Sequence, residues 1–307
     1  MAAAKAGADR SSGRIGGYAL PEKVTRHTTI KVRIYPTPEQ AAIIDKTIDC
    51  CRYIWNAMLA DEREFYAATD QHYIPIPARY KRTDPFLKEA DSQALSATHT
   101  RLRQAFQAFF NDPEKNPYPA FRQKSNAYRT YCNHYGGKHE SIRIEGDGIV
   151  LPKVKWVRAK LHRRPFHWWK LVYVTLSRSA SGKYYCSMTY DYASDVSKAV
   201  EPELVATVTV GGTPENVAKA TEKLRRMEEK LRRMQPGSHN YEQQRLRIAA
   251  QREHIANQKN DLAHKESRRL ADAYDAVKLE GTDARLRANL LYKLERQGKV
   301  LIEDERE

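Results

Sequence analysis

Glu280 is the side chain in this sequence best placed to take part in phosphodiester cleavage. It closes Val277-Lys278-Leu279, a short run read as a strand. An acidic residue at a strand end, among strands and long helices, suggests an RNase H-like nuclease core. Such a core places three or four carboxylates on separate elements to hold two magnesium ions about 4 Å apart, which stabilise the attacking and leaving oxygens. The first carboxylate is expected mid-strand before a glycine turn, but Val205-Ala206-Thr207-Val208-Thr209-Val210-Gly211 contains no acid. Beyond Glu280 the candidate partners are Asp283 and Asp304, the latter in an acidic run (Glu303, Asp304, Glu305, Glu307) that reads as a solvated tail. One carboxylate cannot hold two metal ions, so cleavage is not expected.

The chain does offer positive charge. Its 307 residues hold 53 Lys and Arg against 38 Asp and Glu, a net of +15. Residues 201–307 carry 21 basic and 19 acidic side chains, which leaves +13 on residues 1–200. An excess of that size repels itself and attracts polyanions, a phosphate backbone above all. A membrane surface is the rival polyanion, but no basic amphipathic helix stands out and no apolar run reaches spanning length. Cys50, Cys51, Cys132 and Cys186 form no C-x-x-C pair and two are adjacent. This argues against a disulfide framework or structural zinc and for a reduced, intracellular protein. His254 and His264 share one helical stretch without metal-ligand context, so no metal and no other cofactor is expected.

These residues need elements to position them. Residues 1–27, rich in Ala, Gly and Ser at the start, read as a flexible tail. Thr28–Tyr35 alternates Ile30, Val32 and Ile34 with polar neighbours, a strand ended by Pro36. Thr37-Pro38-Glu39-Gln40 predicts a capped helix start, followed by Ile44, Ile48, Cys51, Trp55, Met58 and Leu59 at helical spacing. A stretch broken by Pro75, Pro77 and Pro85 leads to a second helix over Ser92–Asn111, with Leu95, Leu102, Phe106, Phe109 and Phe110 as its apolar face. Short strands follow, with turns at Gly146-Asp147-Gly148 and at Ser179-Ala180-Ser181-Gly182. Leu204–Val210 reads as a strand. After it comes a helical hairpin turned at Pro236-Gly237-Ser238, lined by Val217, Leu224, Met227, Leu231, Met234, Ile248, Ile255 and Leu262. A helix over Ala284–Gln297 and a strand over Lys299–Ile302 close the chain.

Several of these segments resemble the TnpB family of RNA-guided nucleases of insertion sequences, relatives of the type V CRISPR effectors. The resemblance covers about residues 28–301. It is carried by Arg33-Ile34-Tyr35-Pro36-Thr37 with Gln40, by Arg52-Tyr53-Ile54-Trp55-Asn56, and by Phe109-Phe110 followed by Pro119-Ala120-Phe121-Arg122-Gln123-Lys124. Ile255-Ala256-Asn257-Gln258-Lys259-Asn260-Asp261 with His264-Lys265, Leu279-Glu280, and Tyr292-Lys293 with Gly298 extend it. The resemblance implies an α+β multidomain fold. A small β-barrel (wedge) at 28–36 and 126–200 would carry an inserted helical recognition lobe at 37–125, followed at 201–307 by a truncated RNase H-like (RuvC) domain with a long helical hairpin. Where the family has G-I-D-L-G, this chain has Thr207-Val208-Thr209-Val210-Gly211, so Thr209 stands at the first catalytic aspartate. The stretch between Glu280 and Tyr292 is short against the family, and its zinc ribbon and third aspartate are missing. That pattern is similar to the TnpB-like nuclease-dead repressors (TldR), which bind DNA under RNA guidance and regulate transcription by occupying promoters.

The resemblance implies a division of labour, in which guide pairing reads sequence and protein holds backbone and reads a short duplex motif. Motif reading is expected from Arg79 in the loop before the second helix, Ser92, Gln93 and Ser96 at its start, and Asn133 and His134. Ser92 is equally a candidate helix cap. RNA and heteroduplex backbone are expected at Arg33, Arg52, Arg122, Lys124, Lys153, Lys155, Arg158, Arg163 and Arg164. Tyr35, Tyr53, Phe121, Tyr128 and Trp156 interleave with them. Trp55, Phe109 and Phe110 are read as core. The expected partners are a guide RNA and double-stranded target DNA, bound by a monomer in a bacterial cytoplasmic, nucleoid-associated ribonucleoprotein. Two alternatives stay open: an active magnesium-dependent RNA-guided nuclease using Glu280, and a decayed transposon remnant that binds only RNA.

Overall fold

The computed structural model describes residues 23–124, 129–134, 141–195, 199, 201–209, 214–280 and 283–302. Strand β1 (Lys23–Tyr35) begins ahead of the expected Thr28, because its N-terminal half pairs along β7 (Tyr184–Asp195), from Lys23 opposite Asp195 to Ile34 opposite Tyr184. Its last residues also pair with β5 (Lys155–Lys160), Arg33 opposite Lys160 and Tyr35 opposite Arg158. Alternation turns Ile30, Val32 and Ile34 inward and leaves Lys31, Arg33 and Tyr35 on the outer face.

With β2 (Arg129–His134), β3 (Arg143–Glu145), β4 (Gly148–Leu151) and β6 (Lys170–Arg178), these strands form a seven-stranded antiparallel sheet of order β2-β6-β7-β1-β5-β4-β3. Both expected hairpin turns are present, between β3 and β4 and between β6 and β7. The expected barrel is not: among the described residues β2 and β3 are edge strands that do not pair with each other. Helices cover the inner face instead.

Helix α1 (Pro38–Thr69) starts on the predicted capping box. Gln40 N–H donates to Thr37 Oγ1 at 3.3 Å, and Gln40 Oε1 accepts from Thr37 N–H at 3.0 Å. Its buried stripe of Ile44, Ile48, Cys51, Ile54, Trp55, Met58 and Leu59 joins the inward residues of the sheet in one core. Helix α3 (Ser92–Asn111) adds Leu95, Leu102 and Phe106 to it. The helices between β1 and β2 therefore have no separate core of their own. Phe110 departs from the expectation of burial: it lies exposed on α3, with its ring against His72. The proline-broken stretch folds too, as α2 (Pro77–Thr83) and a 3-10 turn at Pro85–Lys88, each begun by a proline whose missing N–H is not needed there.

The remaining elements are β8 (Val205–Thr209), α4 (Glu215–Arg232), α5 (His239–Ala273), β9 (Ala276–Glu280), α6 (Ala284–Arg296) and β10 (Val300–Ile302). The three strands form a parallel sheet with β9 central, each connection made through helices as parallel pairing requires. Leu270, Ala271, Val277, Leu286, Leu290 and Leu294 are its core. The hairpin of α4 and α5 packs Val217, Ala220 and Ile255 with Leu224 and Leu262. Gln244 and Gln251 additionally donate to the Met227 and Ala220 carbonyls, ties that apolar periodicity does not reveal. Gly298 (φ 73) ends α6 in the left-handed turn that a side chain would strain. Lys293 reaches from α6 to the His264 carbonyl and Ser267 Oγ on α5. No helix among the described residues is long and apolar enough to cross a membrane, and the four cysteines are buried and free.

Candidate nucleic-acid interface

Two motifs far apart in sequence meet at one place. The indole N–H of Trp55 donates to the Ala120 carbonyl at 3.0 Å. One residue on, the Asn56 amide donates to the Arg122 carbonyl at 3.0 Å and accepts from Arg122 N–H at 2.8 Å. Arg63 holds the Pro119 carbonyl. The extended segment 119–122 is thus bound to α1 by side chains replacing the strand partner it lacks. The Arg122 guanidinium lies 3.5 Å from the centre of the Trp55 ring. Burial, with Arg101 nearby, lowers its pKa to about 10, so it stays charged at neutral pH.

Arg122 opens into a cavity of about 220 Å³ with Arg52, Arg101, Lys124 and Arg129 on its walls and Asp49 as the one acid. Asp49 stands 3.7 Å from Arg129 and 3.8 Å from Arg52. Neither Arg101 nor Arg122 has a carboxylate partner among the described residues, which suits the cavity to an anion.

Arg129 and Thr130 also line a second cavity of about 500 Å³ with Lys31, Arg178, Tyr185 and, from α5, Glu253 and Asn257. From Lys31 the outer face of β1 continues through Arg33 to Tyr35, with the Arg33 guanidinium 4.9 Å from the Tyr35 ring centre. Tyr35 in turn lines a third cavity, of about 640 Å³, with Arg158, Lys160 and Arg164. The three cavities make one basic track with aromatic rings set into it, from α1 across the sheet to the far end of β5. Along a strand its cations recur every second residue, about 6–7 Å apart, close to the spacing of phosphates on an extended single strand.

Next to the track, Lys153 and Lys155 both adopt the left-handed backbone region, at φ 64 and 65. The Gln40 side chain holds the turn between them, donating to the Val154 carbonyl at 3.2 Å and the Trp156 carbonyl at 2.7 Å. Trp156 lies over Gly148, where an added Cβ would come within 2.4 Å of the ring, and its indole N–H donates to Glu145 O. It nevertheless keeps 43% of its surface exposed. Phe121 is exposed beside Arg63, while Tyr53 packs edge-on against Phe86. Arg163 lies over Trp169 rather than on the track. Tyr128 lies outside the described residues.

The residues expected to read a duplex motif divide. Ser92, Gln93 and Ser96 are exposed on α3, and Arg79 is exposed in α2 rather than in a loop. Ser92 is not the helix cap. Asp91 is, with its Oδ1 accepting from Gln93 N–H, while Ser92 Oγ accepts from Lys81. Asn133 corrects its expectation most clearly: it is fully buried and donates to Asp91 Oδ2 at 2.6 Å, tying β2 to the start of α3. A base edge cannot reach it there. His134, the next residue, is exposed, and its pKa is lowered by desolvation and by Arg101. Arg101, Lys31, Arg178, Lys160 and Tyr185 were not singled out in the sequence. The period of β1 could have found Lys31; Arg101 joins the site only through the packing of α3 on β2.

The position where a nuclease carboxylate was expected is equally specific. Thr209 on β8 is the register partner of Glu280 on β9, so a neutral residue stands opposite the carboxylate. Asp283 caps α6, its Oδ1 accepting from Arg285 and Leu286 N–H. Asp304 lies outside the described residues. Among the described residues no three of His, Cys, Asp and Glu converge.

Comparison with known proteins agrees with this picture of the fold. A family model described as "Helix-turn-helix domain" (HTH_OrfB_IS605) matches residues 26–71, and one described as "Probable transposase" (OrfB_IS605) matches residues 204–285. Here the first stretch folds as most of β1 and one uninterrupted helix. The chain is 26% identical over 166 residues to a "Putative RNA-guided DNA endonuclease" of Streptomyces pristinaespiralis, covering 52% of this chain and 40% of the relative. It is 26% identical over 189 residues to the "Putative RNA-guided DNA endonuclease InsQ" of Escherichia coli (strain K12), covering 58% and 43%. The matches thus span about two-fifths of these curated relatives. The fold is similar to that in a cryo-EM structure of a Cas12f1-sgRNA-target DNA complex, with a TM-score of 0.52 at 10% identity, over 91% of this chain and 89% of that one. Residues 26–71 and 204–285 therefore match two IS605 OrfB family models, in a fold similar to that of the Cas12f1 chain.

Proposed function

We propose that this protein binds a guide RNA and, through it, double-stranded DNA, and that it occupies its target without cutting it. The observation that carries the reading is the pairing of Thr209 with Glu280: the strand position opposite the acid holds a threonine. The basic track supports the binding half, since its lining offers guanidinium and ammonium groups to a phosphate backbone and rings to bases or sugars. The names of the relatives, RNA-guided DNA endonucleases, support RNA guidance. Bound beside a promoter, such a complex represses by occupancy, which requires residence time and no bond cleavage. The guide RNA is the one obligate partner in this reading, and no metal or zinc enters it.

A second reading is favoured by the relatives, which are named as RNA-guided DNA endonucleases. One experiment separates the two. The ribonucleoprotein is purified, its RNA sequenced, and a matched duplex incubated with it in Mg²⁺. Salt-sensitive binding with the duplex left intact is expected. Cleavage that disappears in Glu280→Ala would overturn the proposal, and RNA without DNA binding would reduce the protein to an RNA-binding remnant.

A further inference from the structure

The segment from Leu161 to Lys170, which joins β5 to β6, contains Arg163, Arg164, Lys170, two histidines and three large aromatics, and no acid. Its aromatics divide into an anchor and a display. Trp169 is the anchor: its ring stacks on Tyr192 at 5.2 Å, contacts Tyr190, and is covered by the Arg163 guanidinium at 4.9 Å. Its N–H closes a turn onto the Phe166 carbonyl at 3.0 Å. That turn fixes Phe166 and Trp168 outside the sheet. Their rings are nearly parallel, 12° apart with centres at 4.7 Å, and they remain 51% and 57% exposed. Trp168 is the most exposed large aromatic among the described residues.

Burying these two rings against the sheet would have been favourable by a few kcal/mol, yet the fold spends its packing on Trp169 and leaves them out. Exposed stacked rings of this kind mark an interaction surface. The charge around them selects the occupant. Arg163, Arg164 and Lys170 provide cations without a neighbouring acid in the segment, and Arg164 also lines the cavity that holds Tyr35 and Arg158. The display therefore stands at the end of the basic track.

We propose that Phe166 and Trp168 form a stacking platform for an unpaired base of a single-stranded RNA, whose backbone continues onto Arg164 and Arg158. Flat π-faces accept any base, while the flanking cations hold the adjoining phosphates, so the platform is tolerant of sequence and selective for unpaired strand. RNA is the occupant because, in the function proposed above, the resident nucleic acid is RNA and the DNA arrives as duplex; the inference rests on that reading to this extent.

The full chain is titrated with a single-stranded RNA oligonucleotide containing 2-aminopurine, and separately with blunt RNA duplex and with single-stranded DNA of the same sequence. Binding of the single-stranded RNA is expected to quench both 2-aminopurine and tryptophan fluorescence. Trp168→Ala is expected to weaken it about 5- to 150-fold, with the same fold-change at low and high salt and with Trp168→Phe restoring most of the affinity. Blunt duplex is expected to be unaffected by Trp168→Ala. Thermal unfolding of each variant checks that the fold is retained. Unchanged RNA affinity in Trp168→Ala would overturn the platform, the more so if sedimentation shows a changed oligomeric state, which would make the patch a protein contact. Equal dependence on Trp168 for single-stranded DNA would overturn the assignment to RNA. These titrations involve no guide and no DNA target, so they can fail while the function stands, and the reverse.

Discussion

Thr209 and Glu280 lie directly opposite each other on the parallel strands β8 and β9. Neighbouring strands are about 4.8 Å apart, so Thr209→Asp would place a second acidic residue at the strand position paired with Glu280. Thr209→Asp is expected to lower stability by about 0.2–1 kcal/mol in the absence of metal, because like charges directly opposite repel. Mn²⁺ should restore that loss by binding the folded state. Thermal melts with and without Mn²⁺ check this, and Glu280→Ala in the same background should abolish the metal effect.

Asn56 closes two hydrogen bonds with the backbone of Arg122. Asn56→Ala leaves both backbone groups without a partner and is expected to destabilise the fold by about 2–3 kcal/mol in urea unfolding. Because Arg122 then loses its place over Trp55, RNA affinity should fall as well. Arg122→Gln should instead leave the clamp intact and reduce the salt dependence of RNA binding by about one phosphate contact.

Lys153 and Lys155 sit in a backbone region that disfavours a side chain by roughly 1–2 kcal/mol. Lys153→Gly is expected to raise stability by about 0.5–1 kcal/mol once the greater freedom of glycine in the unfolded chain is subtracted. The same change should weaken RNA binding and lower its salt slope by about 0.7–0.9. Opposite signs in unfolding and binding would identify strain maintained for function.

Glu253 joins α5 to the sheet by accepting from Ser181 Oγ at 2.5 Å and from Tyr185, with Lys183 at 3.3 Å. Burial alone would push its carboxyl up, but these hydrogen bonds and the lysine outweigh it and hold the carboxyl below its ordinary value of 4.5. A depressed folded pKa contributes stability that is present above the ordinary value and is lost as pH falls through the folded one. Protection of the amides at the β6–β7 turn, taken relative to their intrinsic exchange rate at each pH, should therefore fall below about pH 4.5 in the natural chain. Glu253→Gln should show faster exchange already at pH 7 and less change on acidification.

The sequence on its own went a long way with local structure. Thr37-Pro38-Glu39-Gln40 set the start of α1 because a capping box is satisfied within four residues, and Gly146 and Gly182 marked hairpins because turn geometry is equally local. Alternation along β1 told which of its residues face out, and the +13 on residues 1–200 pointed to a polyanion. That residue 209 is a threonine and not an acid is likewise plain from the sequence, since residue identity needs no coordinates.

Tertiary structure decided what depends on partners distant in the chain. Asn133 was expected to read a base edge and is buried, its amide N–H donating to Asp91, far away in sequence. Asp91 rather than Ser92 caps α3, a choice between adjacent residues that composition cannot make. Among the described residues the sheet is open where a barrel was expected, and α1 and α3 supply its inner layer. Arg101 joins Arg122 only when α3 packs on β2, and Phe166 and Trp168 are left outside only because Trp169 takes the place on the sheet. Caps, turns and strand period are fixed by neighbours within a few residues, so the sequence displays them. Burial and the convergence of charge depend on which elements pack together, and that is written in the fold.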